Sequence, residues 1–198
     1  VTKETRAAVR TAAAALRDAG HVVEEFLPPE LEKTRTIWWN LFGRAGQVAL
    51  GPLCEGREEE LSPILREFIG IVKAEPRLTI EEFMATLLER DAARARFLRQ
   101  MQKYPILLCP VCAVPAFSHG EREWEIESRA VGYLDAMSYC QWFNALGNPG
   151  VVVPVGRSPE GLPIGVQVVG RPFEEELVLA VAQEIESQCG AVGEPPGA

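Results

Sequence analysis

Asn144-Ala145-Leu146-Gly147-Asn148-Pro149-Gly150-Val151-Val152-Val153-Pro154-Val155-Gly156, then Gly161-Leu162-Pro163-Ile164-Gly165-Val166-Gln167-Val168-Val169-Gly170, is the stretch whose reading decides the fold. Val151 to Val155 is a short apolar run bounded by glycines, the pattern of a core strand covered on both faces. Gly156 to Gly161 is rich in turn formers, and the second apolar run ends at Gly170-Arg171-Pro172, so the two runs are predicted to pair through an exposed loop. Glu174-Glu175-Glu176 then opens a helix with Leu177, Val181 and Ile185 at helical spacing, its early acidic residues complementing the helix dipole. The local order is helix, strand, strand, helix.

Working outward, Val131 to Phe143 is predicted as a helix carrying Leu134, Met137 and Gln141 on one face. Tyr104 to Pro115 reads as a buried strand running into a proline-rich loop, and Glu121 to Glu127, charged around Trp124, as a surface loop. Ile80 to Gln100 is a helix with Thr79 as its N-cap, and Pro63 to Val72 is another. Glu55 to Glu60 is polar and exposed. Glu30 to Ala49 places Ile37, Trp38, Leu41, Phe42, Ala45 and Val48 at three- and four-residue intervals, an aromatic stripe that suits core packing or the wall of a substrate pocket. Gly43 and Gly46 loosen this helix or admit a close approach. Thr2 to Ala19 is an alanine-rich helix with Val9, Ala12, Ala13 and Leu16 as its apolar face, and Gly20 to Phe26 is a turn into a short strand, with His21 a capping or surface residue. The Gly- and Pro-rich tail 191–198 is expected to be flexible, leaving residues 1–190 as the folded part.

Composition limits what such a chain can do. The 198 residues suffice for one domain or somewhat more, and 47% hydrophobic with 24% charged residues is ordinary for a globular protein. A net charge of -8 with scattered basic residues opposes a nucleic-acid surface. No apolar run approaches the roughly 20 residues of a membrane helix. Five cysteines, an odd number, without secretory features predict reduced thiols and a cytoplasmic setting. Cys109 and Cys112 form a C-x-x-C. Pro115 and the absence of a following helical period oppose the helix N-terminus a redox dithiol needs, and only His119 lies near enough to extend a zinc site.

The pattern Asn144-x-x-Gly147-x-Pro149, then Val-Val-Pro-Val-Gly, then Gly-Leu-Pro-x-Gly-Val-Gln-x-Val-Gly and an acidic helix start, resembles the C-terminal part of the amidase signature family of serine hydrolases. The resemblance implies an α/β fold: a partial mixed β-sheet covered by helices. It implies cleavage of the carbon–nitrogen bond of amides by a Ser nucleophile, a second Ser and a Lys, beside a Gly- and Ser-rich loop that stabilises the oxyanion, with no metal and no organic cofactor. This sequence has no Ser-Ser pair, no Gly-Gly-Ser loop and no G-x-S-x-G, and none of Lys3, Lys33, Lys73 and Lys103 stands in the family's lysine context.

The expectation is therefore a C-terminal fragment that supplies scaffold and substrate pocket to an amidase whose triad lies outside it. Val1, which is no natural start residue, agrees with that expectation. By position in the family, Leu134, Met137 and Gln141 are the substrate-lining candidates, with Trp38 and Phe42 as a second set, and Asn144 holds its turn or contacts substrate. An apolar lining with one amide suits a neutral or hydrophobic small-molecule amide. A non-catalytic binding module that keeps the fold, and a thiol redox protein using Cys109 and Cys112, are the alternatives. A sheet cut by fragmentation is expected to self-associate through its open edge, giving a homo-oligomer.

Overall fold

The computed structural model describes residues 1–28 and 31–190. The tail 191–198 and the start expected at Glu30 lie outside the described residues. The elements are α1 (Lys3–Asp18), α2 (Leu31–Trp38), a π-helical turn (Trp39–Arg44), α3 (Gly46–Cys54), α4 (Pro63–Lys73) and α5 (Ile80–Gln100). They continue with β1 (Leu107–Pro110), β2 (Glu123–Ile126), β3 (Arg129–Gly132), α6 (Tyr133–Ala136), α7 (Ser138–Leu146), β4 (Gly150–Arg157), β5 (Pro163–Val169) and α8 (Glu175–Cys189).

The quoted stretch forms the expected hairpin, β4 antiparallel to β5, with Val153 opposite Val166 and a register irregularity between Pro154 and Gly156. A third strand, β1, pairs with the other edge of β5, so the sheet order is β1-β5-β4. That order corrects one expectation. β5 is the central strand, with Val166, Val168 and Val169 fully buried, whereas β4 lies at an edge and leaves Val152 48% exposed. Strand chemistry alone does not distinguish a central from an edge position.

Helices cover both faces of the sheet, as the α/β expectation requires. Ile164, Val166 and Val168 of β5 pack with Ala8, Ala12 and Leu16 of α1 and Val178, Ala182 and Ile185 of α8. Val169 packs on the opposite face with Cys109, Phe97 and Met101 at the end of α5, and Phe143 and Leu146 of α7. The alternation follows from the two-residue period of a strand, and each fully buried valine contributes about 1.5–3 kcal/mol. The small alanines of α1 bring it close to the sheet; its buried stripe is Thr5, Ala8, Ala12, Ala15 and Leu16, which leaves the expected Val9 and Ala13 at the margin. Thr79 and Glu82 close α5 with a reciprocal capping box, as the N-cap reading requires.

The turn between α7 and β4 ends the helix at Gly147, whose N–H returns to Phe143 O at 2.7 Å. The side chain that pins this turn is Asn148, donating through Nδ2 to Gly170 O at 2.8 Å, rather than the exposed Asn144. At Gly170 the end of β5 meets α8 so closely that a Cβ would overlap Val178 Cγ2.

Three further expectations are corrected. Residues 123–132 form a hairpin, β2 with β3, and not a loop; its turn residues Glu127 and Ser128 both have positive φ without the Asn-Gly pair that usually announces such a turn. The helix expected from Val131 to Phe143 begins as β3, resumes as α6 and breaks at Met137 before α7. Residues 21–28 are extended but belong to no strand, because among the described residues no strand pairs with their backbone.

Candidate functional site

The helix expected through Ala49 changes winding at Trp39, where six residues adopt the wider π-helical turn, a feature often found where a helix carries function. Its cause is visible beneath it. The Arg44 guanidinium, mostly buried, donates to Pro76 O at 3.1 Å, Glu82 Oε2 at 3.2 Å and Asn40 Oδ1 at 3.2 Å, while Asn40 donates to Thr86 Oγ1 at 3.1 Å. These bonds tie the turn to α5 and to the loop after α4. Gly43 lets the Trp39 indole lie against the backbone: a Cβ there would sit 3.2 Å from the ring. Trp39 Nε1 donates to Glu75 Oε2 at 2.9 Å and fixes the ring from its other end.

The consequence is an aromatic cluster. Trp38 stacks on Phe42 at 5.9 Å, and Phe68 of α4 meets Trp38 edge-on at 6.5 Å and Trp39 at 5.8 Å. Such pairs contribute about 0.5–1.5 kcal/mol beyond the area they bury. Beside the cluster lies a cavity of about 340 Å³ lined by Trp38, Trp39 and Thr36, by Ile71 of α4, and by Leu134 and Gln141, with Arg35 at its edge.

The break at Met137 decides which side of the α6–α7 pair faces this cavity. Gln141 is buried and its Nε2 donates to Leu134 O at 3.0 Å, across the interruption in the helix. With helical phase lost between them, Leu134 and Gln141 line the cavity while Met137 packs with Ala113, Val114, Ile126 and Ala136. Of the five residues expected to line a pocket, Trp38, Leu134 and Gln141 meet at one cavity, Phe42 joins its aromatic wall from a half-exposed position, and Met137 lies in a separate cluster.

Electrostatically the cavity is nearly neutral. Arg35 is paired with Asp135 of α6, both partly exposed, so the cation at the edge is matched. Trp38 Nε1 is a buried donor with no partner. Trp39, Ile71 and Arg35 were not among the expected lining residues. Arg35 and Trp38 share a helix face at a three-residue spacing, which was legible, but the position of Trp39 depends on the π turn, and that of Ile71 on how α4 docks.

The cysteines take no part in the cavity. Burial pushes the Cys109 thiol up to about 12, against a smaller opposing hydrogen bond from Gln167, and burial also raises Cys112 and Cys140. Cys140 Sγ donates to Val111 O at 3.1 Å. These are thiols held protonated, the opposite of what a dithiol nucleophile needs. Among the described residues no three His, Cys, Asp or Glu side chains converge as a metal site, and no helix is long and apolar enough to cross a membrane.

A family model described as Amidase matches residues 1–179. The fatty acid amide hydrolase of Medicago truncatula is 30% identical over 175 residues, covering 86% of this chain and 28% of that protein. A glutamyl-tRNA(Gln) amidotransferase subunit of Myxococcus xanthus is 38% identical over 99 residues, covering 50% of this chain and 20% of that protein. A solved amidase superposes with a TM-score of 0.82 at 28% identity, covering 96% of this chain and 43% of that one. The chain thus spans under a third of the length of these curated relatives.

Proposed function

Since the chain belongs to the amidase family, whose members hydrolyse amide bonds, we propose that residues 1–190 are the C-terminal part of an amidase domain and supply its scaffold and one wall of its substrate site. The Ser-Ser-Lys triad of this reading is contributed from outside these 198 residues, because the sequence holds no Ser-Ser pair and no Gly-Gly-Ser loop. The single observation that carries the proposal is the cavity between α2, α4 and α7. Trp38 is about a hundred positions from Leu134 and Gln141, yet the three line the same space.

In this reaction the chain's residues bind and orient while the triad transfers the acyl group to water. Trp38, Trp39, Ile71 and Leu134 remove the apolar part of the amide from solvent, a gain of roughly 25 cal/mol per Å² of apolar surface. Trp38 contributes its ring to the wall, since its Nε1 is buried away from solvent and without a partner. One N–H of the Gln141 amide is held by Leu134 O, which fixes the side chain in the wall as a neutral group. The Arg35–Asp135 pair leaves no free charge for an ionic substrate. The substrate class that follows is a neutral amide with an apolar acyl or aryl group.

Titrating the chain with hexanamide, and separately with glutamine, while following tryptophan fluorescence tests the proposal. Saturable quenching by hexanamide, weakened at least ten-fold by Leu134→Asp and absent with glutamine, is expected, together with no ammonia release by the chain alone. Turnover by the purified chain, or equal response to the two compounds, would overturn it.

A further inference from the structure

Among the described residues that line the cavity between α2, α4 and α7, Arg35 alone carries a charge. It stands on α2, three residues before Trp38, and its Nη2 pairs with Asp135 Oδ1 on α6. The partners are about a hundred positions apart in sequence and their side chains are 52% and 46% exposed, so the pair stands at the solvent-facing edge of the cavity. An ion pair this exposed contributes little to stability. Its place beside the cavity gives it another consequence.

Asp135 is presented from backbone held on both sides. Leu134 O accepts from Gln141 Nε2 at 3.0 Å, and Ala136 O accepts from the Ala113 N–H at 2.9 Å. The first of these bonds also places Leu134 in the cavity wall, so the carboxylate and the wall are fixed by one short turn. Two effects on a ligand follow. A guanidinium is a fork of N–H donors matched to a carboxylate, and Asp135 already fills that role. Being tethered, Asp135 acts at an effective concentration of at least the millimolar range, against which a free carboxylate must compete. An incoming carboxylate is also repelled by Asp135 itself, and contacts that are unfavourable to the wrong ligand are a source of specificity.

We propose that Asp135 is a specificity-determining residue: by holding Arg35 it excludes amides that carry a carboxylate at their far end, and loss of its charge turns Arg35 into an anchor for that carboxylate. The proposal rests on the substrate-cavity reading above and names the residue that enforces the preference for a neutral amide. Asp135 acts through Arg35 and from the edge, so the apolar contacts of Trp38, Ile71 and Leu134 are shared by neutral and anionic ligands of the same length. Adipamate is such a ligand, being hexanamide with a carboxylate in place of the terminal methyl.

The test titrates hexanamide and adipamate against the chain, against Asp135→Asn and against Asp135→Asn combined with Arg35→Met, following tryptophan fluorescence, and reads the ratio of the two dissociation constants. The ratio cancels any general weakening of the cavity. The chain is expected to favour hexanamide at least ten-fold. Asp135→Asn is expected to move the ratio at least ten-fold toward adipamate, the weight of one charge-assisted hydrogen bond. Adding Arg35→Met is expected to reverse that movement, and about 0.5 M salt to reduce it by screening. Asp135→Ser, which removes the charge without supplying an amide, is expected to repeat the shift. An unmoved ratio in both single variants while hexanamide still quenches saturably overturns the proposal and leaves the cavity reading standing; it is the result expected of a pair that merely ties α2 to α6, where both ligands weaken together. A shift that survives Arg35→Met also overturns it, because the anchor is then another group. Absence of hexanamide quenching in the unsubstituted chain would overturn the substrate cavity itself, and this proposal with it.

Discussion

Replacing Gly170 with Ala tests the packing that joins the central strand to α8. Gly170 is buried, donates its N–H to Pro149 O at 3.0 Å and accepts from Asn148 Nδ2 at 2.8 Å, so its backbone cannot shift without breaking the turn after α7. The added methyl falls on Val178 Cγ2. Overpacking of this kind costs about 1–3 kcal/mol. Val178 is 2% exposed, and Val178→Ala removes two carbon groups, about 0.8 kcal/mol each plus a cavity contribution, or about 2 kcal/mol in all. Independent effects would sum to about 4 kcal/mol. In the double variant, however, the methyl added at position 170 occupies the space Val178 vacates, so the expected cost is about 2 kcal/mol and the coupling about 2 kcal/mol in the stabilising direction. Urea unfolding followed by tryptophan fluorescence measures all three variants, and the double variant should regain roughly 1 M in midpoint over the additive value at unchanged slope. A double variant within about 0.5 kcal/mol of the sum would refute the close contact between β5 and α8.

Two further outcomes follow from the environments of single groups. The Tyr104 hydrogen bond, then Lys103, holds the Glu24 carboxyl below the usual carboxylate range; a folded value lower than the unfolded one means that the contribution is present above the ordinary pKa of about 4.3 and lost as pH falls through the folded value. Carbon-detected NMR titration should therefore show the Glu24 midpoint rising in Tyr104→Phe, with no stability difference between pH 6 and 8 from this group; an unmoved midpoint would contradict the contact. Cys109, with its thiol pushed up to about 12, should resist iodoacetamide at pH 8 in the folded chain and react only in denaturant, while half-buried Cys54 is modified without unfolding. Peptide mapping that finds Cys109 labelled as fast as Cys54 would reopen the redox alternative.

Some of the molecule was legible because it is written in short-range pattern. The hairpin from Gly150 to Val169 and the bounds of α5 follow from local periodicity and capping, and the fixed spacing from Asn144 to Gly170 was enough to show the family resemblance. Leu134, Gln141 and Trp38, three of the residues expected to line a substrate pocket, share one cavity although Trp38 is far from the other two in sequence. Met137 illustrates the limit. A regular helix would have kept it on the face of Leu134 and Gln141, but the interruption at Met137 itself turns it toward Ala113 and Ile126. The β2–β3 hairpin was hidden by a Glu-Ser turn, although Trp124 and Ile126 alternate with glutamates as a half-buried strand should.

What the sequence determined by itself is therefore local: which segments prefer helix or strand, where caps and turns stop them, and which catalytic motifs are missing. Tertiary structure alone decided that β5 and not β4 is central, that Trp39 and Ile71 join the cavity, and that Val9, Ala13 and residues 21–26 surround an open groove. The physical reason is that periodicity records how often a residue is buried but not against what. Strand order, helix phase after a break and the partner of an open edge are fixed by contacts between residues distant in the chain, whose energies appear only when those residues meet.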